Sequence, residues 1–265
     1  MSVAVITGAA SGIGAGLARE AVRRGMKVVL ADRDADALSA VATELGEAAL
    51  TIPTDVADAA SVEALAAAAY AAHGKVDMVF NNAGVLSTGL SWEIPAERWQ
   101  ASLDVNIGGI VNGLRAFVPR MIAAGQAARI INTASVGGFL PSPFMAPYCA
   151  TKFAVVALTE SLAGELAMLG SPIGVSLLAP GPVKSEIFRE QPDASSRDFH
   201  SAMTAMLDAT GMTADAFAPL VFDAIDRGDY WIIPQPDALD EAFAARNATI
   251  MARNPPTFYQ TGEEK

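Results

Sequence analysis

Cysteine and histidine are scarce in this sequence, which has one cysteine and two histidines among 265 residues. A lone thiol cannot form an internal disulfide, so we expect a protein of a reducing compartment, the cytoplasm. His73 precedes Gly74 at a predicted helix end, and His200 lies in a polar stretch. Together with Cys149 they form no cluster with metal-ligand spacing, so we expect no metal site.

Positive charge and long hydrophobic runs are scarce as well. The 18 lysines and arginines are outnumbered by 29 aspartates and glutamates, which gives a formal net charge of −11. The longest basic run is Arg23-Arg24, so the composition argues against a nucleic-acid partner. No apolar run reaches the roughly 18–20 residues that a membrane span needs, and a first strand at residue 3 leaves no room for a signal peptide.

Apolar runs alternate with helical patterns along the chain, and 52 % of the residues are hydrophobic. We therefore predict an α/β fold, a doubly wound parallel sheet of about seven strands with helices on both faces, in one domain over residues 1–265. The expected strands lie near residues 3–7, 27–32, 49–53, 76–81, 128–134, 173–179 and 230–233. The expected helices lie near residues 12–25, 34–45, 59–73, 96–123 and 147–169.

A glycine-rich turn follows the first predicted strand. Residues 3–6 are a continuous apolar run, Gly8, Gly12 and Gly14 follow, and a helical pattern begins there. Missing side chains let backbone N–H groups and a helix N-terminus approach a pyrophosphate. Asp32 ends the second predicted strand, 18 residues after Gly14, close to the position of a carboxylate that binds the adenosine ribose.

Tyr148 and Lys152 are four residues apart on a predicted helix, and Ser135 precedes Tyr148 by 13 residues. Side chains at this spacing share one face of the helix, about 6 Å apart along its axis. A nearby ammonium favours the phenolate, so we expect the pKa of Tyr148 to be lowered from its ordinary value of about 10. Such a tyrosine can accept and donate protons near neutral pH.

These motifs resemble the short-chain dehydrogenase/reductase family. The family pattern T-G-x-x-x-G-I-G stands at residues 7–14, N-N-A-G at residues 81–84, and P-G-x-V at residues 180–183. Asn106, Ser135 and the Tyr148–Lys152 pair match the family's catalytic set in the family's order. The resemblance covers residues 3 to about 185 and implies a Rossmann fold and a nicotinamide-dependent oxidoreductase.

The resemblance also implies a role for each matched residue. Tyr148 is the expected general acid/base, and Lys152 is expected to lower its pKa and to hold the nicotinamide ribose. Ser135 is expected to hydrogen-bond the substrate oxygen, and Asn106 to support a water that links Lys152 to solvent. Ser185 stands where the family often has threonine and retains a hydroxyl for the cofactor carboxamide.

The cofactor is expected to lie across the ends of several strands. Its expected contacts are Gly8, Ser11, Gly12, Ile13, Gly14, Asp32, Arg33, Asp55, Val56, Asn82, Ala83, Gly84, Tyr148, Lys152, Pro180, Gly181, Val183 and Ser185. A carboxylate at Asp32 repels a 2′-phosphate and favours NAD. Arg33 is the usual kind of partner for a 2′-phosphate, which leaves NADP open.

An apolar, partly aromatic wall is expected around the reacting centre. We assign its substrate contacts to Leu86, Trp92, Val136, Phe139, Phe144, Met145, Ile187 and Phe188. Such a wall suits a bulky hydrophobic, secondary alcohol or ketone. The alternatives are 3-oxoacyl-(carrier protein) reduction, which the acidic composition disfavours, and a non-catalytic dinucleotide-sensing protein, which need not keep the catalytic set.

Two further segments carry expectations. Residues 184–212 mix polar and apolar side chains, and the resemblance implies a mobile lid over the substrate there. Residues 234–265 form a C-terminal extension with a helix-like stretch and no assigned function. Family resemblance and the long apolar stretches of residues 96–123 and 147–169 predict a homotetramer.

Overall fold

Seven strands form one parallel sheet in the computed structural model, which describes residues 1–256. The strands are β1 (Val3–Thr7), β2 (Lys27–Asp32), β3 (Ala49–Pro53), β4 (Met78–Asn81), β5 (Ala128–Thr133), β6 (Ile173–Leu178) and β7 (Trp231–Ile232). Their order across the sheet is β3-β2-β1-β4-β5-β6-β7, and every neighbouring pair is parallel. The predicted doubly wound sheet is confirmed.

Helices cover both faces of this sheet. The helices within residues 1–256 are α1 (Gly12–Arg23), α2 (Ala35–Leu45), α3 (Ala59–His73), α4 (Ala96–Leu103), α5 (Gly109–Ala124), α6 (Ala146–Met168), α7 (Arg197–Thr210), α8 (Ala214–Arg227) and α9 (Asp240–Met251). Strands β2 and β3 extend the sheet on one side of β1, and β4 to β7 extend it on the other side, so the order of the strands reverses between β1 and β4. In sheets of this kind, ligands bind outside the carboxyl ends of the strands at such a switch point.

Strand β1 shows why its sequence is apolar without interruption. Ala4 and Ile6 pack in the core beneath α1, α2 and α8, whereas Val3 and Val5 pack in the core beneath α3, α5 and α6. Successive side chains of a strand point to opposite faces. Because helices bury both faces, the first four positions of the strand are all apolar, and Thr7 at its end is polar.

The predicted helix over residues 96–123 is wrong in its middle. Residues Asp104–Gly108 form a π-helical segment between α4 and α5, and Asn106 lies in it. Asn106 turns its side chain to the backbone of Val85, accepting from its N–H at 2.8 Å and donating to its carbonyl at 3.0 Å. A π-helical turn inserted into an α-helix frequently marks a functional position.

Helix α8 was missed, although its signals are present in the sequence. Phe217, Val221, Phe222 and Ile225 recur at helical spacing and are buried. Thr213 caps the helix by accepting the N–H of Ala216 at 3.2 Å. Helix α8 packs against α1 and so supports the helix whose first turn follows the glycine-rich loop.

The segment assigned to a lid contains more regular structure than its composition indicated. It holds two short 3₁₀ turns, Glu186–Phe188 and Ala194–Ser196, followed by α7. The helix expected near residues 237–252 is α9. The end of the expected C-terminal extension, residues 257–265, lies outside the described residues.

Within residues 1–256, no helix is both long enough and apolar enough to cross a membrane. The same part of the chain contains no group of three or more histidine, cysteine, aspartate or glutamate side chains that could hold a metal ion.

Candidate active site

A cleft of about 650 Å³ lies at the carboxyl ends of the strands. The glycine-rich loop, the ends of β2, β4, β5 and β6, the first turns of α6, and the segment 184–212 all border it. The sheet therefore gathers in one place motifs that are up to about 180 residues apart in sequence. Each cofactor residue expected from the sequence lines this cleft.

The glycines of the glycine-rich loop stand at positions with no room for a side chain. Gly8 has a φ of +68°, and a Cβ added to Gly14 would lie 2.1 Å from the carbonyl oxygen of Gly8. Ser11 precedes α1 but makes no side-chain cap, and the first turn of α1 contains no acidic residue. No side chain of these residues neutralises the positive end of the α1 dipole, which borders the cleft. A phosphate group can bind at such a helix N-terminus.

Thr7 fixes the end of β1 to the end of β4. Its Oγ1 accepts the N–H of Asn82 at 2.9 Å and that of Ala83 at 3.1 Å, and donates to the carbonyl of Phe80 at 3.2 Å. The Asn82 side chain donates back to the Thr7 carbonyl at 3.0 Å. The sequence places Thr7 in the motif but does not indicate its role in the site, because these contacts depend on two strands that are distant in sequence.

The Asp32 carboxylate lies beside the glycine-rich loop. It accepts the N–H of Ala10 at 3.2 Å and the N–H of Asp34 at 3.1 Å, one bond on each oxygen. Each carboxylate oxygen keeps a free lone pair for a ribose hydroxyl. Arg33 is exposed at the same border and has no ion-pair partner within residues 1–256.

The loop after β3 forms the wall next to Asp32. Asp55 accepts the N–H of Ala57 at 3.0 Å, and the carbonyl of Val56 accepts from the Asn112 side chain at 2.9 Å. A Cβ at Gly109 would lie 2.9 Å from the Val56 side chain. Asn112 and Gly109 on α5 thus position Val56, and sequence reasoning had assigned neither of them.

Ser135, Tyr148 and Lys152 lie together at the other end of the cleft. Ser135 Oγ accepts the N–H of Gly137 at 3.1 Å, which keeps its hydroxyl hydrogen available to a ligand. Lys152 Nζ donates to the carbonyl of Thr133 at 2.9 Å and lies 5.6 Å from the centroid of the Tyr148 ring. In this arrangement Ser135 can donate a hydrogen bond to a ligand, and the Tyr148 hydroxyl can give up or accept a proton.

Asn106 acts on this group through α6. Its Nδ2 donates to Thr151 Oγ1 at 2.9 Å, and Thr151 Oγ1 donates to the Tyr148 carbonyl at 2.8 Å. With its bonds to Val85, the Asn106 side chain has protein partners for all its polar hydrogens. A water held by Asn106, as the resemblance implies, could donate to the remaining lone pair of Oδ1 or bond the main chain of Asn106. Thr151 was not assigned from sequence.

Burial controls the protonation of the Tyr148–Lys152 pair. Desolvation raises the pKa of Tyr148 to about 12, and the Ser135 hydroxyl acts in the opposite direction. Desolvation lowers the pKa of Lys152 to about 8. The predicted lowering of the Tyr148 pKa is therefore wrong for the protein without cofactor, because loss of water outweighs the hydrogen bond with Ser135.

The apolar wall agrees only in part with expectation. Five of the expected side chains line the cleft: Leu86, Val136, Met145, Ile187 and Phe188. The segment 184–212 adds Met203, Met206 and Leu207 to the lining.

Three expected wall residues lie elsewhere. Trp92 is 78 % exposed. Phe139 packs against Trp231 and Phe243, and Phe144, at a φ of +62°, stacks on Phe199 outside the cleft lining.

The segment 184–212 is tied to the loop that follows β4 and to α4. Ser87 donates to Glu190 at 2.8 Å, Ser196 donates to Thr88 at 3.2 Å, and Arg98 pairs with Asp193 at 3.5 Å. His200, expected in a polar loop, lies on α7 and bonds the carbonyl of Phe188 at 2.8 Å. These contacts hold Phe188 and Glu190 at the cleft.

Comparison with known proteins gives the class that this fold and cleft define. The model of the short chain dehydrogenase family matches residues 2–196. The chain is 35 % identical over 245 residues to 1-deoxy-11-beta-hydroxypentalenate dehydrogenase from Streptomyces avermitilis, an alignment that covers 89 % of this chain and 86 % of the relative. The protein belongs to the short-chain dehydrogenase/reductase family and is an oxidoreductase.

Solved structures of similar proteins belong to the same family. A short chain dehydrogenase/reductase from Burkholderia phymatum in complex with NAD superposes with a TM-score of 0.94 at 37 % identity, covering 98 % of both chains. A 3-ketoacyl-(acyl-carrier-protein) reductase from Brucella melitensis complexed with NADH gives a TM-score of 0.76 at 30 % identity, covering 88 % of this chain and 97 % of that one. The glycine-rich loop and Asp32 fit an NAD(P) cofactor. The family match and the structures solved with NAD and NADH support the use of this cofactor by the protein.

The depressed pKa of Lys152 predicts that removing its charge stabilises the cofactor-free protein. The ammonium has a pKa of about 8 in the fold against an ordinary value of 10.5, which corresponds to about 3 kcal/mol of unfavourable free energy below pH 8. Lys152→Met should therefore raise the free energy of unfolding by up to about 3 kcal/mol at pH 7.

Urea denaturation at several pH values measures this effect. The stability of wild type should rise with pH between about 8 and 10.5, because the unfolded chain binds the Lys152 proton there and the folded chain does not. The advantage of Lys152→Met should shrink over the same interval. A variant that is less stable than wild type at pH 7, or a difference independent of pH, would contradict the assignment.

Proposed function

We propose that this protein is an NAD-dependent dehydrogenase of bulky hydrophobic secondary alcohols, or a reductase of the corresponding ketones. The observation that carries the proposal is the apolar wall next to Ser135, Tyr148 and Lys152. A pocket with apolar sides and a few convergent polar groups selects a hydrophobic ligand and orients one polar atom of it. The hydroxylated substrate named for the Streptomyces relative supports this class.

In this proposal the side chains bind and move one proton. Tyr148 accepts the hydroxyl proton of an alcohol or donates it to a ketone oxygen. Ser135 donates a hydrogen bond to the same oxygen and stabilises negative charge that develops on it. The nicotinamide supplies the hydride chemistry. The positive charge of Lys152 opposes the effect of burial on the Tyr148 phenol.

The segment 184–212 is proposed as the lid of this pocket. Its 3₁₀ turn Glu186–Phe188 and the helix α7 put apolar side chains over the cleft. Ser87, Thr88 and Arg98 provide its contacts with the opposite wall. A closed lid excludes water from the proton transfer and strengthens the hydrogen bonds within the site.

Carrier-protein substrates are a second candidate, supported by the likeness to the Brucella reductase. The net charge of −11 argues against it, because an acidic carrier needs a basic docking surface. Steady-state assays with 3-oxoacyl chains free and on the carrier separate the two candidates.

A non-catalytic sensor is disfavoured, since the chain keeps Ser135, Tyr148 and Lys152 grouped in the cleft.

A homologous series of 2-alkanols tests the substrate class. Each additional buried methylene contributes about 0.8 kcal/mol, so kcat/KM should rise about threefold to fourfold per carbon until the wall is filled. Ile187→Ala should reduce this increment. Trp92→Ala, a change at an exposed aromatic residue, is the control and should leave the series unchanged. A flat series in wild type would contradict the proposal.

Tyr148→Phe tests the proton transfer. The change retains the ring and its packing but removes the titrating hydroxyl, so kcat should fall by about 10²-fold or more. The Kd of NADH, measured by fluorescence, should stay within about twofold because Asp32 and the glycine-rich loop are unchanged. Turnover close to that of wild type would mean that another group carries the proton.

Asp32 is the basis for the proposed preference for NAD over NADP. Asp32→Ala removes a negative charge from the position of a 2′-phosphate, so kcat/KM with NADP should rise about tenfold while that with NAD falls. Arg33→Ala should lower the use of NADP selectively. A wild type that prefers NADP and gains nothing from Asp32→Ala would refute the preference.

A homotetramer is also proposed. Leu103, Ile122, Met168 and Leu169, on or directly after α4, α5 and α6, are exposed large apolar side chains. Apolar patches of this kind are covered when symmetric copies associate. Light scattering should give a mass near four times the 27.4 kDa of one chain. A mass near 27.4 kDa at micromolar concentration would exclude the assembly.

A further inference from the structure

Gln235 lies between two prolines, directly after the last strand of the sheet. Its side-chain amide bonds main-chain groups of two consecutive residues in the segment that follows β6. Its Nε2 donates to the carbonyl of Pro182 at 2.8 Å, and its Oε1 accepts the N–H of Gly181 at 3.0 Å. An amide carries a donor and an acceptor side by side in one plane. Both groups of Gln235 are therefore used to hold this one segment.

The segment held in this way, residues 180–185, runs along one wall of the cleft. Its first residue, Pro180, accepts the N–H of Val136 at 3.0 Å, directly after Ser135. At its end, Ser185 approaches the glycine-rich loop so closely that a Cβ on Gly12 would lie 2.8 Å from the Ser185 Cβ. The backbone of residues 180–185 thus spans the distance from Ser135 to the glycine-rich loop.

The position of this segment identifies the part of the cofactor that it contacts. Asp32 marks the adenosine end of the cleft, at the carboxyl end of β2. The segment leaves β6, on the opposite side of β1, and borders the end of the cleft that contains Tyr148 and Lys152. A dinucleotide laid along the cleft therefore has its nicotinamide half against residues 180–185.

Few other contacts fix the middle of this segment. The Pro182 carbonyl also accepts the N–H of Met212 at 3.0 Å, and the Met212 carbonyl accepts the N–H of Lys184 at 2.9 Å. Met212 stands at the end of the proposed lid, so these bonds depend on the position of the lid. The N–H of Gly181 has Gln235 as its partner, from an element outside the lid.

We propose that Gln235 is a positioning residue that fixes residues 180–185 for binding of the nicotinamide half of the cofactor. It touches neither the reacting atoms nor the adenosine end, and acts through the backbone of Gly181 and Pro182. Gln235 lies outside residues 2–196, the part of the chain that the family model matches. The proposal rests on NAD(P) binding and is independent of the substrate.

Selective loss of affinity for the nicotinamide half is the expected signature. Gln235→Met keeps the length of the side chain and removes both hydrogen bonds. Calorimetry should show Kd for NADH raised about tenfold. Kd for ADP-ribose, which lacks the nicotinamide ring, should change less than about twofold. Gln126→Met, the same substitution at an exposed site before β5, is the matched control and should change neither.

A second variant keeps the test decisive if Gln235→Met does not fold. Gln235→Glu retains an acceptor for the Gly181 N–H and loses the donor to the Pro182 carbonyl, so NADH affinity should again fall selectively. Equal weakening of NADH and ADP-ribose would show a general structural role and overturn the proposal. Unchanged affinity for NADH would overturn it as well. Wild type that binds ADP-ribose but not NADH would refute the assignment of the nicotinamide end itself.

Discussion

The burial of the Lys152 ammonium is the constraint on which the rest of the site depends. Lys152 is 3 % exposed, donates to the Thr133 carbonyl, and has no carboxylate partner within residues 1–256. A buried charge with so little compensation is unfavourable, and its pKa falls accordingly. In the proposed mechanism a cation is needed beside Tyr148, and a bound ligand with hydroxyl groups would supply the missing hydrogen-bond partners. Under that proposal, stability and catalysis oppose each other at this residue.

Hydrogen bonds between side chains and main-chain groups position nearly every other group of the site. Thr7 joins the ends of β1 and β4, and Asn106 reaches the Tyr148 carbonyl through Thr151. Gln235 holds the turn after β6 in the same manner. Apart from the bond between Asn106 and Thr151, these side chains bond main-chain groups. The parallel sheet brings its strand ends to one edge, and these polar side chains then fix the loops that leave that edge.

Residue spacing in the sequence predicted those parts of the site whose arrangement depends on a single strand, turn or helix. The glycine-rich turn, Asp32 and the Tyr148–Lys152 pair each follow from residue spacing along one strand or helix, and each lies in the cleft. Wall residues such as Trp92 and Phe144 were misplaced because their direction depends on loop conformation, which spacing does not determine. The direction of the Tyr148 pKa was wrong for a related reason: burial is a property of the fold. Helix α8, in contrast, had a readable apolar repeat.

Direct titration of Lys152 tests the account most closely. Nuclear magnetic resonance of the protein with carbon-13 at the lysine ε position gives the pKa of each lysine, and Lys152→Met identifies the signal of Lys152. We expect a pKa of about 8 for this group in the protein without cofactor. A pKa at or above the ordinary value of about 10.4 would contradict it, since the ammonium would then be solvated or paired rather than buried beside Tyr148.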